Sequence, residues 1–116
     1  MTTTYENRET EIDLGGGHSY QWMQDGYIGP PTPEHKIIGL VEHHPHAVDD
    51  DHPFGYCGGY IAWVASSRKG GWVTVRHELV SGSPGDEEHV TISPSLLCPL
   101  CHNHGYIRDG KWEDAA

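Results

Sequence analysis

The sequence S-P-S-L-L-C-P-L-C-H-N-H-G-Y-I-R-D-G-K-W, residues 93–112, contains two of the three cysteines of the chain. Cys98 and Cys101 have the C-x-x-C spacing, which places two thiolates on one tight knuckle whose backbone N–H groups face the sulfur atoms. His104 follows three residues after Cys101 and can turn back toward both. The stretch therefore predicts half of a metal site on a small β fold.

The same stretch carries a hairpin signal and an unusual knuckle residue. Asp109-Gly110 is a two-residue turn of the kind that joins antiparallel strands, and apolar and aromatic residues flank it on both sides. Pro99 fixes φ inside the knuckle. His102 occupies a position where zinc knuckles often have glycine, so a positive φ is expected there.

The third cysteine completes a ligand set. Cys57 stands before a Gly-Gly pair at the entry of a predicted strand. Three cysteines would leave one thiol over in a disulfide framework, whereas three thiolates and one imidazole form a complete tetrahedral zinc set. We predict one structural Zn²⁺, with His104 preferred to His102 as the fourth ligand. The predicted ligands are Cys57, Cys98, Cys101 and His104. The alternative is three reduced, partly buried cysteines.

A closed ligand set favours a structural metal. Catalytic zinc keeps a coordination position open for water or substrate, and three thiolates with one imidazole leave none. The sequence therefore predicts a structural metal site and no catalytic residue.

Composition favours a mostly β fold in a small single domain of short antiparallel strands, with a zinc-knuckle C-terminal hairpin and little helix. The 116 residues include 15 Gly and 8 Pro, and only 35% are hydrophobic, which is typical of turns and short strands. We expect a flexible N-terminal arm at residues 1–17 and one zinc-stapled β domain at residues 18–116. The alternation in residues 11–14 leaves a short edge strand there as the alternative.

Period-two patterns predict the strands. Residues 36–43 contain an apolar run typical of burial on both faces, and residues 55–65 have the apolar faces of a central strand. Further strands are predicted at residues 18–23, 72–80 and 89–93.

A second group of metal-binding residue types lies in the predicted polar loop at residues 43–53. It is interpreted as a second, open metal site or as a pH-sensitive surface, with a solvated loop as the plainer alternative. Its histidines are His43, His44, His46 and His52.

The charge balance limits the partners. With 17 acidic and 7 basic residues the formal net charge is −10, which repels phosphate backbones, so no nucleic acid is expected. The first residues lack the basic and apolar regions of a signal peptide, and the longest apolar run is too short to cross a membrane. We expect synthesis in the cytoplasm and no membrane association.

The C-terminal pattern, together with G-Y-C-G-G-Y and residues 72–79, resembles an uncharacterised family of small zinc-binding domain proteins from bacteria and actinobacterial phages. The resemblance covers residues 55–112 and places the ligands on the same four residues, Cys57, Cys98, Cys101 and His104. The family has no assigned activity, so the resemblance implies none for this chain. The phage association implies a virion-associated protein with protein partners in an oligomeric assembly.

These observations predict a non-enzymatic, zinc-stabilised structural or interaction protein, namely a phage capsid or tail accessory component acting by protein–protein contacts. Residues 1–17 and 29–33 are its expected contact elements. Two alternatives stay open: a metal-dependent hydrolase or nuclease using the histidine- and aspartate-rich loop, and a phage-encoded inhibitor of a host factor.

Overall fold

The computed structural model describes residues 11–25, 27–64, 75–98 and 101–115, which we call the described residues. Their regular structure is ten short β-strands and one 3₁₀ turn, Glu87–His89, so the prediction of a mostly β fold is confirmed. Among the described residues, no helix is long and apolar enough to span a bilayer. The strands are β1 Ile12–Gly15, β2 His18–Gln24, β3 Tyr27–Ile28, β4 Ile37–Pro45, β5 Tyr56–Ala62, β6 Glu78–Ser81, β7 Thr91–Ser93, β8 Leu96–Leu97, β9 His104–Arg108 and β10 Lys111–Asp114.

The largest sheet is antiparallel, with the order β1-β2-β4-β5 and β3 paired to β2. Its centre is β2 and β4. All seven residues of β2 and seven of the nine in β4 are buried. The predicted burial of β4 on both faces is therefore confirmed. Among the described residues β5 ends the strand order, which differs from its predicted central place, and Tyr60 on it is 54% exposed.

A second layer covers one face of this sheet. It consists of the three-stranded sheet β10-β9-β8 and the pair β6-β7. Across the interface, Trp22 and Leu40 of the large sheet share one apolar core with Ile107 and Val90 of the second layer. Burial of each side chain of this size contributes about 1.5–3 kcal/mol. A smaller cluster around Met23 occupies the opposite face.

The C-terminal hairpin has the predicted turn. Asp109 and Gly110 have φ values of 49° and 69°, and positive φ at both central residues is the signature of a type I′ turn. The backbone N–H of Gly110 donates to Val90 O at 2.9 Å, which fastens the turn to the segment that precedes β7.

The predicted arm at residues 1–17 requires a correction. Residues 12–15 form β1, which pairs with β2, and Leu14 is buried in the main core. The reason is the alternation of Ile12 and Leu14, which gives this segment an apolar face to bury. Residues 1–10 lie outside the described residues. Of the strand predicted at 72–80, residues 72–74 also lie outside, and β6 begins at Glu78.

Candidate metal centre

Strands β4 and β5 place a histidine directly opposite a cysteine. In their antiparallel register His44 is the partner of Cys57. Both side chains are buried, with relative exposures of 2% and 3%. On the same face the next pair is Glu42 and Gly59, and the pair after it, Leu40 and Ile61, belongs to the main core. The two residues therefore extend the core-facing side of the sheet.

The other two cysteines come from the knuckle between β8 and β9. Its backbone is closed by two hydrogen bonds of 2.8 Å, from Cys98 N–H to Asn103 O and from His102 N–H to Cys98 O. His102 has φ = 63°, so the predicted left-handed conformation is confirmed. Pro99 lies outside the described residues. The turn places Cys101 against β4, where its sulfur meets His44.

Four ligand atoms converge at this point. One atom each of His44, Cys57, Cys98 and Cys101 lies within 4.8 Å of the other three. The sulfur atoms of Cys57 and Cys98 are 3.6 Å apart, and zinc–sulfur bonds of about 2.3 Å in a tetrahedron require about 3.8 Å. His44 Nε2 and Cys101 Sγ are 2.9 Å apart, so this pair would separate by about 0.7 Å around a zinc ion. The donor set fits a Cys₃His site.

The predicted fourth ligand, His104, is not part of this cluster, which is a correction. In β9 the inward positions are Gly105 and Ile107, so alternation turns the His104 side chain toward solvent. Its Nε2 lies 2.8 Å from Ser95 Oγ instead. His44 supplies the imidazole.

A buried carboxylate orients the histidine of the cluster. Glu42 is 5% exposed, and its Oε1 accepts a 2.9 Å hydrogen bond from His44 Nδ1. This leaves Nε2 of His44 directed toward Cys101. Metal-binding histidines usually donate their second nitrogen to such a carboxylate, which fixes the ring and raises its basicity. The other Glu42 oxygen accepts a 2.8 Å bond from His18, whose ring stacks on Trp112 at 3.8 Å.

The titration behaviour of the cluster reflects this arrangement. The hydrogen bond with Glu42 raises the pKa of His44 to about 9 against the opposing effect of burial, and Cys101 adds to the rise. Burial, together with the neighbouring Cys98 and Cys101, raises the pKa of the Cys57 thiol to about 12. Three thiolates this close together repel one another. Because thiolate rather than thiol is the metal ligand, a divalent cation binds these groups, and its positive charge offsets the repulsion between them.

The histidines predicted at residues 43–53 separate into two groups, which corrects the predicted loop boundary. Strand β4 continues to Pro45, so His43 and His44 are buried strand residues. His43 Nε2 lies 3.6 Å from Glu11 Oε1, on the opposite face of β4 from the metal cluster. His46 and His52 remain in the loop, where they cluster with Asp49.

The sequence contained a signal for His44 that the spacing argument missed. Residues 37–44 and 57–62 are two strand-like runs joined by a loop rich in aspartate and proline. Folding them as a hairpin about residues 50 and 51 places His44 opposite Cys57. Local spacing favours His104 because it is three residues from Cys101, whereas His44 reaches the knuckle only through strand pairing.

Comparison of the chain with models of protein families, with curated proteins and with solved structures finds no match. The assignment of the site therefore rests on its geometry and on the chemistry of its donor atoms.

Proposed function

We propose that the protein is a zinc-stabilised β protein that acts through contacts with other proteins and not as a catalyst. The observation that carries this proposal is the convergence of three thiols and one carboxylate-oriented imidazole at one partly buried point. Such a set occupies all four positions of tetrahedral zinc. A metal held this way stabilises the fold and offers no position to a substrate.

The location of the ligands supports a structural role. Two ligands belong to the large sheet, on β4 and β5, and two belong to the knuckle of the second layer. A zinc ion bound to all four would cross-link the two layers. A chain of 116 residues with 35% hydrophobic residues has a modest core, and small cores are often supplemented by a metal.

Exposed apolar side chains support a role in protein contact. Phe54 and Tyr60 are 61% and 54% exposed, and Val48 in the same loop region is 71% exposed. The free energy of the system falls when a partner covers large exposed apolar groups. The setting that we propose, a phage virion with this protein as a capsid or tail accessory component, derives from the sequence resemblance of residues 55–112.

Two matched substitutions test the ligand set. His44→Asn and His104→Asn each remove one imidazole near the knuckle. We expect His44→Asn to weaken zinc binding by more than tenfold, because one of four ligands is lost. His104→Asn should retain the affinity of the unaltered chain. The measurement is competition for Zn²⁺ with a chromogenic chelator, with elemental analysis of the purified proteins.

The opposite pattern, in which His104→Asn releases the metal and His44→Asn does not, would contradict the proposed ligand set. Zinc binding that neither substitution changes would contradict both His44 and His104 as ligands. Circular dichroism of both variants with excess Zn²⁺ separates a lost ligand from a lost fold.

A further inference from the structure

The loop between β4 and β5, residues 46–55, brings together a second set of metal-binding side chains. One ligand atom each of His46, Asp49 and His52 lies within 4.8 Å of the other two. His52 Nδ1 is 2.9 Å from Asp49 Oδ1, and His46 Nδ1 is 3.9 Å from Asp49 Oδ2. The closer partner of His46 Nδ1 is Ala47 O, to which it donates at 2.7 Å, so Nε2 is the nitrogen that His46 would offer to a metal.

The two imidazole rings lie against each other. Their centroids are 3.6 Å apart and their planes differ by 23°. Imidazole lone pairs lie in the ring planes, so the two rings would tilt apart to bind one cation, which the negative charge of Asp49 would also attract. The arrangement matches the chemistry of a metal ion better than that of an anion.

Backbone hydrogen bonds hold these side chains in place. Asp49 Oδ1 accepts from the backbone N–H groups of Asp51 and His52 at 2.9 and 2.7 Å. At the base of the loop, the N–H of His46 donates to Gly55 O at 3.0 Å. A preformed site loses little conformational entropy when it binds, so its affinity for a ligand is higher than that of a disordered loop.

We propose that His46, Asp49 and His52 bind a divalent transition-metal ion, such as Ni²⁺, Cu²⁺ or Zn²⁺. Imidazole ligands suit these ions. Three protein ligands leave at least one coordination position open to water or to another molecule, in contrast to the closed cysteine cluster. The two sites share no residue, so this proposal does not depend on the zinc cluster.

A cavity adjoins the loop. It has a volume of about 280 Å³, and its wall includes His52, Phe54, Tyr56 and Tyr60. A molecule with an aromatic or apolar part that occupied this cavity would therefore contact one of the metal-binding side chains. A molecule that filled the open coordination position of the metal would also be held by the wall of this cavity.

The test is calorimetric titration of Ni²⁺ into the full chain after its cysteine cluster has been loaded with one equivalent of Zn²⁺. We expect one further equivalent to bind. His46→Gln and His52→Gln should each weaken that binding at least tenfold. Asp49→Asn should also weaken it, although the amide oxygen can still accept the backbone hydrogen bonds.

His89→Gln is the matched control. His89 pairs with Asp86 at 2.6 Å, with the same three-residue spacing as Asp49 and His52. The group of possible metal ligands to which it belongs contains only this one imidazole. Its substitution should leave Ni²⁺ binding unchanged. Absence of a further equivalent, or equal binding by the unaltered chain, His46→Gln and His52→Gln, would overturn the proposal.

A measurement on the unaltered protein removes the dependence on folding of the variants. Paramagnetic Ni²⁺ should broaden the imidazole NMR signals of His46 and His52 before that of His89; equal broadening of all three would count against the site. Failure of the cysteine cluster is detected separately, because its thiols would then react freely with a thiol reagent after Zn²⁺ has been added.

Discussion

At the scale of single residues, Glu42 determines the orientation of the His44 imidazole ring. Its buried carboxylate accepts hydrogen bonds from His44 and from His18, and the His18 ring is covered by Trp112. A buried carboxylate is costly unless it is paired in this way. The two bonds fix the orientation of the His44 ring, so that its second nitrogen faces the cysteines.

Glu42→Gln tests this orienting contact. The amide retains the shape of the side chain but loses the negative charge, and its NH₂ group cannot accept a hydrogen bond from an imidazole N–H. We expect zinc affinity to fall by about 10- to 100-fold, as is typical for loss of an outer partner of a metal-binding histidine. Competition with a chelator measures the change.

Glu113→Gln is the control for this experiment. Glu113 is exposed, pairs with Arg108 at 3.1 Å and is not one of the residues grouped around the cysteines. Exposed pairs of this kind contribute about 1 kcal/mol or less, so zinc affinity should not change. Equal affinities for Glu42→Gln and the unaltered chain would show that Glu42 does not orient the ligand.

At the scale of elements, the β9–β10 hairpin depends on two residues with positive φ. A Cβ atom on Gly110 would lie 2.6 Å from Glu87 O and 3.0 Å from Glu88 Cα. Glycine at this position therefore allows both the turn conformation and the close approach of the hairpin to the 3₁₀ turn. The hairpin also carries Trp112, which lies over Gly105 and stacks on His18.

Gly110→Ala and Gly85→Ala separate these two effects. Both glycines have positive φ, 69° and 91°, but a Cβ on Gly85 would meet nothing within 4 Å. Gly85→Ala should lower the free energy of unfolding by about 1–2 kcal/mol, from the left-handed conformation alone. Gly110→Ala should lower it by a further 1–3 kcal/mol, roughly, because the backbone must shift. Denaturant unfolding measures both, and equal losses would contradict the packing described for the turn.

The elements were easier to predict from sequence than the site. Asp109-Gly110 specifies its own turn, and the apolar run in β4 specifies burial on both faces, because these signals are local. The position of β5 in the strand order depends on pairing between distant segments, and no local pattern encodes it. The same limit explains His44, since it reaches Cys101 across 57 positions of sequence, whereas His104 is only three residues away.

At the scale of the whole molecule, the cysteine cluster joins side chains of the two layers in an arrangement compatible with a zinc site. His44 and Cys57 belong to the large sheet, whereas Cys98 and Cys101 belong to the knuckle of the second layer. A ligand that binds only the folded state stabilises it by mass action, by about 4 kcal/mol at a free concentration 1,000 times its dissociation constant. Loss of zinc should therefore weaken the entire fold, and not one loop.

We propose that a zinc ion in the cysteine cluster holds the fold together. The most direct test is a chelator titration of the zinc-loaded chain, in which cysteine reactivity toward a thiol reagent and the circular dichroism of the sheets are followed in one sample. We predict that the thiols become reactive over the same range of chelator in which the β-sheet signal is lost. If the thiols become fully reactive while the β-sheet signal is unchanged, zinc does not hold the fold together.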